Sequence, residues 1–443
     1  MFAAEVSDTF QIEGVRNHFY LSITLLAVLG WHAGAQAQVG TRQAPKLVVS
    51  ITIDQLRSDY LETFATHDGI NGFKRLLAEG AVFENASYPF LDPDRASAIA
   101  TVVTGTTPFY HSITGLQWLD RNSLRPVNCT DDQIAVTTIG DELKIATDGA
   151  ARVFAFAPSQ DMAFLSAGHA SDGKEWITPN KKNKTPINQD ITTKALACVS
   201  DQQLGADDIP DLLCLSYDAG TSADTYSQLD QTIGTLISTL EERIGKERLL
   251  VVLTSTGSFT SEKIDDNRYH IPTGQFDLKR TANLLNMYLG ALWGQGQYIE
   301  ASYKNQLFFN HQLIESKRIN LSDITQRSQE FLCQLAGVKR VFSGLQLING
   351  HPCDQQKVRN SYHPQRCGDL LIEVAPGWHI QNEETGYDKL SQLSTPSFPI
   401  IFYGAGIQSA RVQTPVTTDR IAPTISKAIR IRAPNACTSE PLF

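Results

Sequence analysis

Residues 46–53, KLVVSITI, do most to limit what this chain can fold into. From Leu47 on the run carries no charge, is rich in β-branched residues, and ends at Asp54. A strand with one wet face alternates polar and apolar residues, whereas a continuous apolar run reads as a parallel strand covered on both faces. Shorter runs of the same kind follow at 153–156, 212–216, 249–254, 370–374 and 398–403. Helical patterns separate them, at 72–80 with a Gly stop, at 96–103 behind the polar turn Asp92-Pro93-Asp94, and at 230–243. Alternating strands and helices predict an α/β three-layer sandwich with a mostly parallel central sheet.

The texture changes between residues 282 and 341, where a helix (282–291) precedes the alternating segment IEASYKNQLFFN and a second helix (322–335) begins at Ser322 as its expected cap. This predicts a small α+β insert, about residues 271–365, on one α/β domain spanning 38–443, with a reduced cap over about 116–200.

Residues 19–30, FYLSITLLAVLG, form a short apolar run behind Arg16 and His18 and ahead of Ala35-Gln36-Ala37. A basic start, a brief apolar core and a small-x-small site describe a signal peptide, and the run falls short of the ~20 residues a spanning helix needs. The expectation is cleavage near Ala37, a mature chain from Gln38, and a periplasmic or secreted protein. Residues 1–14 are mildly acidic and fit no signal peptide, which points to a start near Val15. No later segment is apolar enough to span a membrane. Export permits disulfides. Seven Cys leave at least one thiol unpaired. Cys353 and Cys367 flank a short loop and are the candidate pair, while Cys214, inside an apolar run, reads as a buried free thiol. A formal net charge of −9 without any basic run excludes a nucleic-acid surface.

Several segments together resemble the alkaline phosphatase superfamily, in its alkaline phosphatase and type I phosphodiesterase branch. They are the first strand ending in Asp54-Gln55-Leu56-Arg57, GFKRLLAEGAVFENASYP (72–89), TGTTPFYHSITG (104–115), TIGDELK (138–144), AGH (167–169), YHPQRCGDL (362–370), and FYGAGI followed by TDRIAPTIS. The resemblance covers nearly all of residues 46–443. It implies two zinc ions about 4 Å apart that clamp a phosphoryl group, and a nucleophile at a helix N-terminus.

Carried over residue by residue, the resemblance preserves the scaffold and empties the site. Asp54 matches the first metal ligand. The nucleophile position falls on Arg95, and a guanidinium cannot attack phosphorus. Ser97 lies two residues further on. The next ligand pair should follow the LLCLSY strand, where Asp218 stands near the expected place and no His occurs. Ser255 and Thr256 replace an Asp-His pair, and the last His is missing from ETGYDKLSQLSTPSFP. The family's phosphate-binding Lys-Asp-Arg becomes Gln160-Asp161-Met162, and its Asn becomes Leu116. One Asp cannot hold two zinc ions. The expectation is a non-catalytic homologue with no cofactor, binding a phosphorylated or other anionic ligand through Arg95, Asp54 and Asp94, or a periplasmic protein partner through the aromatic stretch 298–309, whose alternative role is core packing.

The competing reading is a divergent phosphomonoesterase or phosphodiesterase using zinc or another divalent cation. Asp54, Asp92, Asp94 and Asp218 would gather around one hard cation. Against it, Asp92 and Asp94 read as helix-capping residues, with Arg95 neutralising Asp54. A zinc site at His351, Cys353, His363 and Cys367 is a further possibility. His111 and His169 read as hydrogen-bonding core residues.

Overall fold

The central strand Leu47–Asp54 is buried along almost its whole length. In the computed structural model, which describes residues 44–443 except 65–71, 131–132, 179–185, 260–272, 351–354 and 393–394, it lies mid-sheet. We number the sheet's strands in chain order: β1 (Leu47–Asp54), β2 (Ala81–Ser87), β3 (Val153–Ala157), β4 (Gly173–Trp176), β5 (Asp211–Asp218), β6 (Leu249–Ser255), β7 (Phe398–Gly404), β8 (Ala410–Val412) and β9 (Val416–Thr417). Their spatial order is β8-β2-β7-β6-β1-β5-β3-β4, with β9 also against β2. Only β7 runs antiparallel to its neighbours among these nine.

Period-two alternation divides β1 between two cores. Leu47, Val49, Ile51 and Ile53 pack with the helices Ser58–Phe64, Phe73–Glu79, Ile187–Asp201 and Ala223–Ile244. Val48 faces the opposite core, with Arg95–Thr104, Ile139–Ala146 and Ile421–Ile429. Each of those four side chains is at most 1% exposed, which contributes roughly 1.5–3 kcal/mol apiece. The result is the three-layer sandwich expected from the strand pattern.

The helix Arg95–Thr104 carries its own start and stop. Asp94 caps it in a reciprocal box with Ser97, and Gly105 ends it at φ 66°. A Cβ at Gly105 would stand 2.8 Å from Cys437 Sγ, so crowding as well as φ calls for glycine.

The insert holds an antiparallel sheet in the order Ile299–Tyr303, Gln306–Phe309, Leu370–Val374, Val338–Ser343. The helices Leu278–Trp293 and Leu321–Leu332 cover it. A second sheet of Gly274–Asp277, Trp378–Asn382 and Tyr387–Leu390 adjoins it in sequence. Residues 370–374 therefore pair inside the insert rather than in the main sheet, and the insert's strands reach residue 390. Within 116–200, β3 and β4 belong to the main sheet, and the hairpin Gln117–Asp120/Arg125–Asn128 stands apart. The cap of the second insert helix is Asn320, whose side chain accepts from Ser322 N–H, and not Ser322.

Candidate functional site at the sheet edge

Strand β1 delivers Asp54 to the carboxyl edge of the sheet, where open α/β sheets form their sites. The chain then turns through Gln55 at φ 62°, a left-handed conformation that a non-glycine residue holds only when fixed from outside. Tyr226 fixes it: its hydroxyl donates to Gln55 O at 2.6 Å and accepts from Arg57 N–H at 3.2 Å.

Asp54 and Asp218 are direct register partners on β1 and β5, so these two carboxylates do come together. Asp218 Oδ1 accepts from Gly220 N–H at 2.8 Å, and its side chain is exposed. Asp54 is mostly buried and accepts a hydrogen bond from the Thr256 hydroxyl. Burial, foremost, lifts the Asp54 pKa to about 6; the Thr256 bond and Arg95 oppose the shift, while Asp218 and Asp94 add to it. Thr256 thus donates a hydrogen bond to the Asp54 carboxylate.

Arg95 occupies the first turn of its helix, as the resemblance placed it. It does not neutralise Asp54 by a salt bridge. Its guanidinium forks onto Asp161, Nε to Oδ2 at 2.9 Å and Nη2 to Oδ1 at 3.3 Å. The cause is packing: Ala96, Ile99 and Ala100 share a core with Met162, Ala163 and Leu165, which sets Asp161 beside Arg95. Met162 is therefore a core residue. Asp161 was visible only as the middle of a depleted triplet, and its one signal was an acid retained opposite a nucleophile changed to a cation.

Asp94 is spent on structure. Oδ1 accepts from Ser97 N–H at 3.0 Å and Oδ2 from Leu116 N–H at 2.8 Å. Asp92, at φ 51°, pairs with Lys389 at 2.6 Å. The four-carboxylate cluster is therefore not assembled: Asp54 and Asp218 meet, Asp92 turns away, and Asp94 caps. Ser97 Oγ is held in the cap and is not free to act as a nucleophile. The charge of Arg95 is balanced by Asp161, with Asp54, Asp94 and Asp218 near, so an anionic ligand at Arg95 is disfavoured.

Among the described residues, no three His, Cys, Asp or Glu side chains converge in a way that could hold a metal ion. Among the described residues, the donors that remain do not suit a zinc pair: the half-buried Asp54 and the exposed Asp218 are two carboxylates with no imidazole converging on them, and a guanidinium stands where the resemblance places the nucleophile. Of the zinc reading at His351, Cys353, His363 and Cys367, and of the Cys353–Cys367 pair, only His363 and Cys367 are described. Cys367 is a buried thiol that accepts from His363 N–H at 3.3 Å. Burial lowers the His363 pKa to about 4. His351 and Cys353 lie outside the described residues, as does the signal-peptide segment. Cys214 is a buried free thiol.

His111 and His169 are structural. Buried His111 accepts from Ile113 N–H at Nδ1 and meets Thr101 Oγ1 at 3.0 Å through Nε2. His169 Nδ1 meets Asp141 Oδ2 at 2.8 Å, and Nε2 meets Ile134 O at 3.1 Å. The aromatics Tyr298, Tyr303, Phe308 and Phe309 are at most 5% exposed, so they pack the insert and offer no partner surface.

A family model described as type I phosphodiesterase / nucleotide pyrophosphatase matches residues 48–396. The chain belongs to that family. It lies within the alkaline phosphatase superfamily, as the motifs implied. It is 23% identical to "Alkaline phosphatase PafA" of Elizabethkingia meningoseptica, over 90% of this chain and 94% of that one. It is also 23% identical to "Alkaline phosphatase PhoV" of Synechococcus elongatus, over 88% and 91%. The crystal structure of wild-type PafA superposes with a TM-score of 0.77 at 22% identity, covering 90% of this chain and 98% of that chain. Murine ectonucleotide pyrophosphatase / phosphodiesterase 5 gives 0.59 at 13% identity, over 87% and 95%. At these identities the likeness shows the fold. No described helix is long and apolar enough to cross a membrane.

Proposed function

We propose that this chain is an exported member of the family that no longer carries out two-metal phosphoryl transfer and works by binding. One observation carries the reading: at the first turn of the site helix, where phosphoryl transfer needs a nucleophile, Arg95 is locked in a two-point ion pair with Asp161. The neighbouring substitutions agree with it. Thr256 supplies a hydroxyl that hydrogen-bonds Asp54, and Asp54 is shifted towards its neutral form. In the divergent-hydrolase alternative, the register partners Asp54 and Asp218 would grip one hard cation.

The deciding experiment is elemental analysis of the protein purified without chelator, with phosphate mono- and diester hydrolysis measured on the same sample, zinc or magnesium supplied. Less than stoichiometric metal and no turnover above buffer is the expected result. Two zinc ions per chain with turnover overturns the proposal, and one hard cation with slow turnover establishes the alternative.

A further inference from the structure

A cavity of about 630 Å³ lies away from the sheet edge, where the 117–128 hairpin meets the insert. That volume suits a small organic molecule. Three chain segments converge on it, contributing Arg121, His311 and Asp369.

Asp369 is the tie between them. It accepts from Arg121 Nη1 at 3.2 Å, from His311 Nε2 at 3.0 Å and from Phe309 N–H at 2.8 Å. Burial pushes its pKa up, but the bonds from His311, Arg121 and Phe309 outweigh burial and leave it low, so it is an anion. Its hydrogen bond to His311 raises the imidazole pKa in turn. One carboxylate thus faces a guanidinium and an imidazole, and Arg366 adds a second guanidinium to the lining. Arg366 donates to the carbonyls of Ser112 and Gln133 and lies over the Trp118 ring. Asp120 at the rim and Glu300 beside His311 supply the nearby negative charge.

Two nitrogens remain unused. Arg121 Nε is buried with no hydrogen-bond partner, and His311 Nδ1 has none among the described residues. Buried donors are normally satisfied, so an orphan of this kind marks a place for an acceptor. Part of the lining is apolar: Leu345 and Ile348 line the cavity while 40% and 42% exposed. Guanidinium and imidazole nitrogens together with exposed apolar side chains in one lining describe a ligand with an acid group on an apolar body.

We propose that this cavity binds a small organic anion, a carboxylate or phosphate ester with an aromatic or aliphatic body. Its acid group bonds His311 Nδ1 and, after a small shift, Arg121 Nε, while its body covers Leu345 and Ile348. The proposal rests on the reading that the chain acts by binding, yet it concerns a different place. Hydrolysis at the sheet edge would overturn that reading and leave this one standing.

The test uses 8-anilinonaphthalene-1-sulfonate, an aromatic anion, in a fluorescence titration of the full chain, with thermal melts of every variant as folding controls. Saturable binding to wild type is expected. It should weaken at least about tenfold in Leu345→Glu, which sets a carboxylate at the mouth, and in His311→Gln, and should persist in Arg95→Ala. Competition by 1-naphthoate against 1-naphthyl phosphate shows which acid group the site prefers. No saturable binding to wild type, or binding unchanged in a folded Leu345→Glu, overturns the proposal.

Discussion

Arg95 and Asp161 face each other across two packed helices and join through Nε–Oδ2 at 2.9 Å and Nη2–Oδ1 at 3.3 Å. The pair closes a gap in the site's charge. Arg95 is about a third exposed, so water screens the pair and its share of stability is at most ~1 kcal/mol. Arg95→Thr should therefore fold and melt near wild type. It should also fail to hydrolyse phosphate monoesters with zinc supplied, because a restored hydroxyl still lacks metal ligands. Turnover in that single variant would show that a metal-competent site persists.

The Asp54 carboxyl gives a pH signature. Its folded pKa of about 6 lies above the ordinary 3.8. A raised carboxyl binds its proton more tightly when folded, so its stabilising share is full below pH 4 and is lost as pH rises through 6. A shift of about two units corresponds to roughly 3 kcal/mol. Asp54→Asn cannot ionise and lacks this window. Urea denaturation should show the variant gaining on wild type by up to that amount between pH 4 and pH 7. A difference constant across that range would sink the assignment.

Thr256 tests the same carboxyl from its partner's side. Its hydroxyl holds the Asp54 pKa down, and the residue is fully buried. Thr256→Val should move the pH midpoint of the Asp54 window above 6. It should also cost about 1–3 kcal/mol at pH 7, the range for a buried acceptor left without its donor. The wild-type midpoint in the valine variant would mean that burial alone sets the pKa.

The sandwich was legible because β1, β5, β6 and β7 are continuous apolar runs, a pattern that needs cover on both faces. Residues 370–374 look the same in sequence yet pair with Gln306–Phe309 and Val338–Ser343, because a short apolar run does not say which sheet will cover it. The capping role of Asp94 was readable from local spacing. The partner of Arg95 was not, since Asp161 lies 66 residues away and reaches it only through helix packing. The cluster of Arg121, His311 and Asp369 had no sequence signal, because its members come together only where the 117–128 hairpin meets the folded insert.

Asp141 offers the reverse pH dependence. Its carboxylate accepts from Thr138 N–H at 2.8 Å, His169 N–H at 3.0 Å and Ala170 N–H at 2.9 Å, and meets His169 Nδ1 at 2.8 Å. Burial raises its pKa, but the His169 bond and the backbone donors outweigh burial and leave it below 3.8. A depressed carboxyl contributes its share above 3.8 and loses it as pH falls through the folded value. This box starts the helix Ile139–Ala146 and ties it to the AGH turn (167–169), so the loss reaches the main-sheet core through Ile139 and Leu143. Asp141→Asn keeps the shape but removes the charge and puts an amide group where one oxygen accepted. It should cost about 3 kcal/mol at pH 7, as removing one partner of a buried charged network does. The gap to wild type should narrow below pH 4, where wild type protonates too. Melting temperatures of both proteins from pH 3 to pH 8 decide this, and a gap that widens in acid would refute the assigned direction.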